Sequence, residues 1–403
     1  MTKADKEGQR KAPILRFKGF TDDWEQRKLS EMTQQVKRTS DSENPILTIS
    51  AKNGWMDQKD RFNRVIAGKE LKNYIELYKN ELSYNHGNSK YAKFGIIYVQ
   101  RKYEKALVPK VYHSFSMSYG DPRFIENLSV GHKLDKELSK LITSGARQDG
   151  LLNINKKSFY TIKLFTPSEQ EQIKISNIID VINHVITLYE RKIKLFDDMI
   201  AYLKQQLFYK QSSLFFPQSH WKDTAFSKLY IKRKDKNIDV SYDQSKTISV
   251  ANMKYSDREL NSSREYLKTY YITHFGDIIY EGNRSGNFKY GRFVQNNIGD
   301  GIVSHVFTVY KPIDDLDMNF MNNFINYEPI MSRVLLYATT DTLMMHTLHD
   351  NELMKQKLSL PDKETQIKIG RILSLVSTIK NRFSERKELL IKIKKNLLNT
   401  MFI

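Results

Sequence analysis

The chain has 403 residues, 40 % of them hydrophobic and 28 % charged, which suffices for two or more domains with cores and excludes a disordered chain. Lys and Arg number 65 against 46 acidic residues, and the formal charge of +19 points to a polyanionic partner, nucleic acid ahead of an anionic membrane. With no Cys, disulfides, thiolate zinc sites and cysteine nucleophiles are excluded; no apolar run approaches the ~18 residues of a membrane span, so a cytoplasmic protein is expected.

Residues 1–16 are polar and basic, lack the apolar core of a signal peptide, and read as a flexible tail. Residues 17–164 mix β-branched and aromatic runs with Gly, Asn and Pro breaks. The patterns predict strands at Pro45–Ser50 and Gly95–Val99 and helices at Gly68–Tyr78 and Lys133–Thr143, an α+β domain. Residues 165–210 form a predicted long helix entered through Pro167 and Ser168. Residues 211–357 again mix strand and turn signals, and residues 358–403 form a second long helix.

The two helices are copies. Residues 167–208 align without a gap on residues 361–402, an offset of 194 (361 less 167), with identities that include Pro167/Pro361, Gln172/Gln366, Lys174/Lys368, Ile175/Ile369 and Phe208/Phe402. In the first, Ile175, Ile178, Ile182, Val185, Tyr189, Phe196, Met199 and Leu203 are spaced by threes and fours, with Lys192 as the polar member. In the second, Ile369, Ile372, Val376, Ile379, Phe383, Leu390, Ile393 and Leu397 repeat that seam, with Arg386 in the place of Lys192. Such a seam needs cover, and the simplest partner for each helix is the other. The spacing leaves both parallel and antiparallel pairing open.

Fainter echoes link the globular parts. Thr48-Ile49-Ser50 returns as Thr247-Ile248-Ser249, and Tyr84, Lys93 and Gly95 return as Tyr280, Lys289 and Gly291 at an offset of 196 (280 less 84). The repeated unit is a globular domain followed by a long helix, too long for a solenoid repeat.

Catalytic constellations are weak. Gly282–Gly286 lacks the phosphate-loop spacing and its Lys-Ser/Thr, and His346, His349 and Asp350 match no metal-ligand spacing. Asp121-Pro122-Arg123-Phe124 has Arg where an amino-methyltransferase motif needs a second Pro, and Pro361–Glu364 reads as a helix start. Loops suited to reading DNA occupy matching places. Asn85, His86, Asn88, Lys90 and Lys93 fall in one and Asn283, Arg284 and Lys289 in the other, while Arg147 and Gln148 lie in a third loop. Arg, Asn, Gln and His side chains hydrogen-bond base edges, and Lys binds phosphate.

The order of variable domain, long helix, variable domain, long helix resembles the specificity subunit of type I restriction–modification systems. So do residues 15–29 and the helix starts Pro167-x4-Gln172-x-Lys174-Ile175 and Pro361-x4-Gln366-x-Lys368-Ile369. The resemblance implies two α+β target-recognition domains, each reading half of a split site in double-stranded DNA, and two helices paired as an antiparallel coiled coil. It also implies two methyltransferase and two restriction/translocase partner subunits. These would carry S-adenosylmethionine, ATP and Mg, leaving no cofactor, metal or catalytic residue in this chain. The competing readings are a coiled-coil interaction protein outside restriction–modification and a self-contained DNA-modifying enzyme with a cryptic site.

Overall fold

The computed structural model describes residues 11–39, 44–62, 73–142, 151–209, 215–256, 263–283, 287–341 and 345–403. It divides into two compact units, one of residues 1–190 with 385–403 and the other of residues 191–384. The division falls within the two long helices, Glu169–Leu207 and Lys363–Thr400.

In the first unit, Thr33–Gln35, His113–Met117, Leu82–Asn85 and Ile96–Val99 form an antiparallel sheet in that order. One face packs on the helix Pro122–Val130, whose start is fixed by Asp121. Its carboxylate accepts the Arg123 N–H at 2.8 Å, with Pro122 in the first turn where no donor is needed. Trp24, Leu29, Phe115, Phe124 and Phe159 form the core, joined by Ile175 and Ile179 from the first long helix and Leu398, Met401 and Phe402 from the end of the second. The strands Glu25–Lys28 and Lys163–Thr166 pair antiparallel, so the segments entering and leaving this globular part are tied together.

In the second unit, Tyr230–Lys232, Thr308–Pro312, Ile278–Glu281 and Arg292–Gln295 form an antiparallel sheet with the same strand order. Phe226, Phe293, Phe320 and Phe324 fill its core with Leu207, Phe208, Ile369 and Leu373 of the long helices. Trp221–Ala225 pairs with Lys357–Pro361, the counterpart of the first unit's closing ladder.

Several expectations change. Residues 75–78 of the expected helix Gly68–Tyr78 are a strand paired with Lys105–Val108, because Ile75 and Leu77 alternate into a small core; residues 68–72 lie outside the described residues. The helix expected over Lys133–Thr143 is the short Asp135–Ser139, and Thr143 lies outside the described residues. The expected spans 165–210 and 358–403 each begin on a closing strand rather than a helix. Residues 11–16 are docked, not a free tail. Arg16 donates to both carboxylate oxygens of the buried Glu171 at 2.9 and 2.7 Å, and Leu15 N–H reaches Thr400 O at 2.9 Å. Residues 1–10 lie outside the described residues.

The helix seam is also different. In the first long helix Ile175, Ile179, Ile182, Ile186, Tyr189, Ile193, Phe196, Ile200, Leu203 and Leu207 are all buried or half-buried, alternating steps of four and three without a gap. Lys192 and Met199 are exposed. Ile178 and Val185 of the expected seam are half-buried as well, and the departure lies at Lys192 and Met199, where Ile193 and Ile200 are the half-buried residues; Ile178/Ile179 and Val185/Ile186 offer two apolar choices, so the spacing alone does not set the phase. The equivalent ten residues of the second helix are likewise unexposed, but Lys380, Lys387 and Lys394 stand where the first has Ile186, Ile193 and Ile200. Ile372, Arg386 and Ile393 are exposed. Within the second unit, Phe196 stacks on Phe383 with centroids 5.5 Å apart, and Lys380 Nζ donates to Asp197 at 2.9 Å. Lys192 reaches back over the Phe383 ring at 5.0 Å, a cation on an aromatic face rather than a seam residue.

Candidate nucleic-acid interface

The two hairpins that carry the expected reading loops are built alike. Leu82–Asn85 pairs with Ile96–Val99, and Ile278–Glu281 with Arg292–Gln295. At the base of each loop a buried tyrosine hydroxyl donates to a carbonyl ten residues on, Tyr84 to Phe94 O at 2.6 Å and Tyr280 to Tyr290 O at 2.8 Å. The next residue is Gly in both, Gly95 at φ +78° and Gly291 at φ +76°. A Cβ there would stand 2.6 Å from Asn85 O or Glu281 O and press on the tyrosine, so only Gly closes the loop.

The loop residues divide sharply. His86 is 7 % exposed, its Nδ1 2.8 Å from Leu152 O and its Nε2 3.0 Å from Val111 O. Asn85 donates to Ile49 O at 3.2 Å and accepts Gly87 N–H at 3.1 Å. Both are spent on holding the loop, which withdraws them from base reading. Asn88, Lys90 and Lys93 are exposed, and the two ammonium groups lie 5.0 and 5.6 Å from the Tyr91 and Phe94 ring centroids. In the second unit Asn283 is exposed and donates to Glu281 at 3.3 Å, and Lys289 is exposed over Tyr290 at 5.2 Å. Arg147, Gln148 and Arg284 lie outside the described residues.

Sequence reasoning missed Tyr91, which is 46 % exposed and carries Lys90 on one approach and Lys52 on another at 5.9 Å. The signal was the Lys-aromatic doublets Lys90-Tyr91, Lys93-Phe94 and Lys289-Tyr290. Lysine over an aromatic ring at a loop tip offers a phosphate contact beside a stacking face.

The residues rejected as chemistry have structural duties. Arg123 forks to Asp121, at 2.6 Å from Nη2, and to Asp180 on the long helix, at 3.0 Å from Nη1. Asp350 receives Lys232 at 2.5 Å and the Tyr310 hydroxyl. His346 is 7 % exposed at the start of a short strand. Asp362 caps the second long helix by accepting the Thr365 N–H at 2.9 Å. Among the described residues no three His, Asp or Glu side chains gather as a metal site would require, and no helix is long and apolar enough to cross a membrane.

Two solved structures cover nearly the whole of this architecture. The crystal structure of the type I restriction–modification S subunit from M. genitalium superposes with a TM-score of 0.60, 13 % identity, and coverage of 97 % of this chain and 99 % of that one. The fold is that of a type I restriction–modification S subunit. A second chain, from work on complex assembly and conformational transition of the type I R-M system, superposes with a TM-score of 0.52 and 12 % identity over 95 % of this chain and 98 % of its own. No protein-family model and no curated protein sequence matches the chain. At such identities the shared property is the arrangement of the backbone.

Proposed function

We propose that this chain is the DNA-reading specificity subunit of a type I restriction–modification complex. The observation that carries the reading is the repeated hairpin. Two units with one strand order each present a loop closed by the same Tyr–carbonyl bond and the same left-handed Gly, with exposed Lys beside an aromatic ring. A domain used twice, with differing loop sequences (NHGNSKYAK over residues 85–93 against EGNRSGNFK over residues 281–289), suits two half-sites of different sequence in double-stranded DNA. The contacts of residues 196–197 with 380–383, and of Ile175 and Ile179 with Leu398 to Phe402, support an antiparallel coiled coil of the long helices as spacer.

In this reading the chain is not itself an enzyme. It selects the site and scaffolds two methyltransferase and two restriction/translocase subunits in the cytoplasm, and S-adenosylmethionine, ATP and Mg belong to those partners. The charge of +19 supplies phosphate contacts and makes affinity fall steeply with salt.

Methylome sequencing of cells expressing the chain with its methyltransferase tests the proposal. The expected result is adenine methylation in a split motif, two short halves around a fixed unspecified spacer. Replacing residues 211–357 by those of a relative should change one half alone. A contiguous motif, or no motif together with no gel shift at physiological salt, overturns it. Methylation or cleavage by the purified chain alone would favour the self-contained enzyme.

A further inference from the structure

A cleft of about 660 Å³ opens in the first unit, beside the Gly54–Asp57 strand and the helix Pro122–Val130. Its walls combine three aromatic side chains, Trp55, Tyr91 and Tyr98, with the cations Lys52 and Lys394. Arg101 and Lys102 also line it but are answered by carboxylates, Arg101 by Glu126 at 2.5 Å and Lys102 by Asp57. Lys52 and Lys394 form no ion pair among the described residues. Glu126, the one carboxylate in the wall, is 8 % exposed, and its other oxygen accepts the Val99 N–H at 3.0 Å. The adjacent Asn127 is 5 % exposed, and its Nδ2 has no acceptor; neither has the Trp55 indole N–H.

We propose that this cleft binds a nucleoside monophosphate, its base against the aromatic wall and its phosphate at the free lysines. Its size lies within the range of small-ligand sites, where hydrophobic and aromatic side chains are joined by a few orienting polar groups. Aromatic faces accept any base by stacking, and lysine binds phosphate as a point charge. A free nucleotide and a nucleotide swung out of a DNA strand present this same chemistry.

Calorimetric titration of the full-length chain with AMP, adenosine and inorganic phosphate tests the proposal. AMP is expected to bind at least tenfold tighter than either half, and Lys52→Ala and Tyr91→Ala, both at exposed positions, to weaken it at least tenfold with the circular dichroism unchanged. A parallel arm uses a DNA hairpin with one unpaired nucleotide against its fully paired form. Binding of AMP identifies a free nucleotide as occupant; preference for the unpaired hairpin, lost in the same variants, identifies a strand nucleotide. Absence of both, or affinities the variants leave unchanged, overturns the proposal. The site does not depend on the specificity reading: lost duplex binding with nucleotide binding intact would sink that reading alone.

Discussion

Gln172 Oε1 accepts the backbone N–H of Asp121 at 3.0 Å while its Nε2 donates to Pro167 O at 3.0 Å. Gln366 repeats both bonds in the second unit, to Asp317 N–H at 3.1 Å and Pro361 O at 2.9 Å. Each glutamine thus joins the first turn of a long helix to the capping Asp of the short helix packed on it, which explains the shared Pro-x4-Gln spacing. Gln172→Ala and Gln366→Ala are each expected to cost about 1–3 kcal/mol, because a buried N–H is left without an acceptor. Denaturant unfolding checks this; a change below about 0.5 kcal/mol in both would refute the clamp.

Gly95 and Gly291 admit no side chain. At their positive φ a Cβ meets a carbonyl at 2.6 Å and the ring of Tyr84 or the hydroxyl of Tyr280 at 2.6 and 2.7 Å. Gly95→Ala and Gly291→Ala should each destabilise by about 1–3 kcal/mol and shift the loop. Backbone amide NMR of the loop, with thermal melts, reads both effects, and an unchanged melting curve contradicts the account.

The phase of the helix seam ranks the costs of changing two adjacent residues. Ile193 is half-buried and Lys192 exposed. Ile193→Lys should lower stability by about 1–2 kcal/mol through lost burial, whereas Lys192→Ala, which removes only an exposed cation from the Phe383 ring, should cost about 0.5–1 kcal/mol. The reverse order in urea midpoints would restore the seam that runs through Lys192.

His113 supplies a pH dependence. It is 5 % exposed among Tyr84, His86 and Phe159, with Lys156 nearby, and burial lowers its pKa to about 3, helped by the charges of His86 and Lys156. The unfolded chain therefore takes up the proton first. The stability that neutral His113 preserves is complete above about pH 6.5 and is lost as pH falls from there towards 3, about 2 kcal/mol of it between pH 7 and pH 5. His113→Phe should flatten the fall in urea stability over that interval. Equal slopes in the two proteins would show that another group governs it.

What the sequence disclosed was mostly periodic. Apolar residues at threes and fours marked both long helices, and the paired Tyr, Lys and Gly positions marked the hairpins, because local geometry ties those residues together at fixed offsets. The inward turn of His86 was not legible, since its partners, Leu152 O and Val111 O, are far along the chain. Nor was the docking of Arg16, which depends on Glu171 155 residues away. The seam's phase was illegible for a different reason: with Ile at both 178 and 179, only burial distinguishes them.

The lysines at 380, 387 and 394 give the two copied helices different characters. The first offers isoleucine at all three places; the second offers an ammonium stem every seventh residue, apolar along its carbons and charged at its tip. Two second helices laid together would crowd like charges into one dry seam, and the cost rises with every heptad matched. The duplication has therefore lost its interchangeability. On the proposed pairing, the second helix would discriminate against its own kind, and a chain that carries both would already hold its preferred mate.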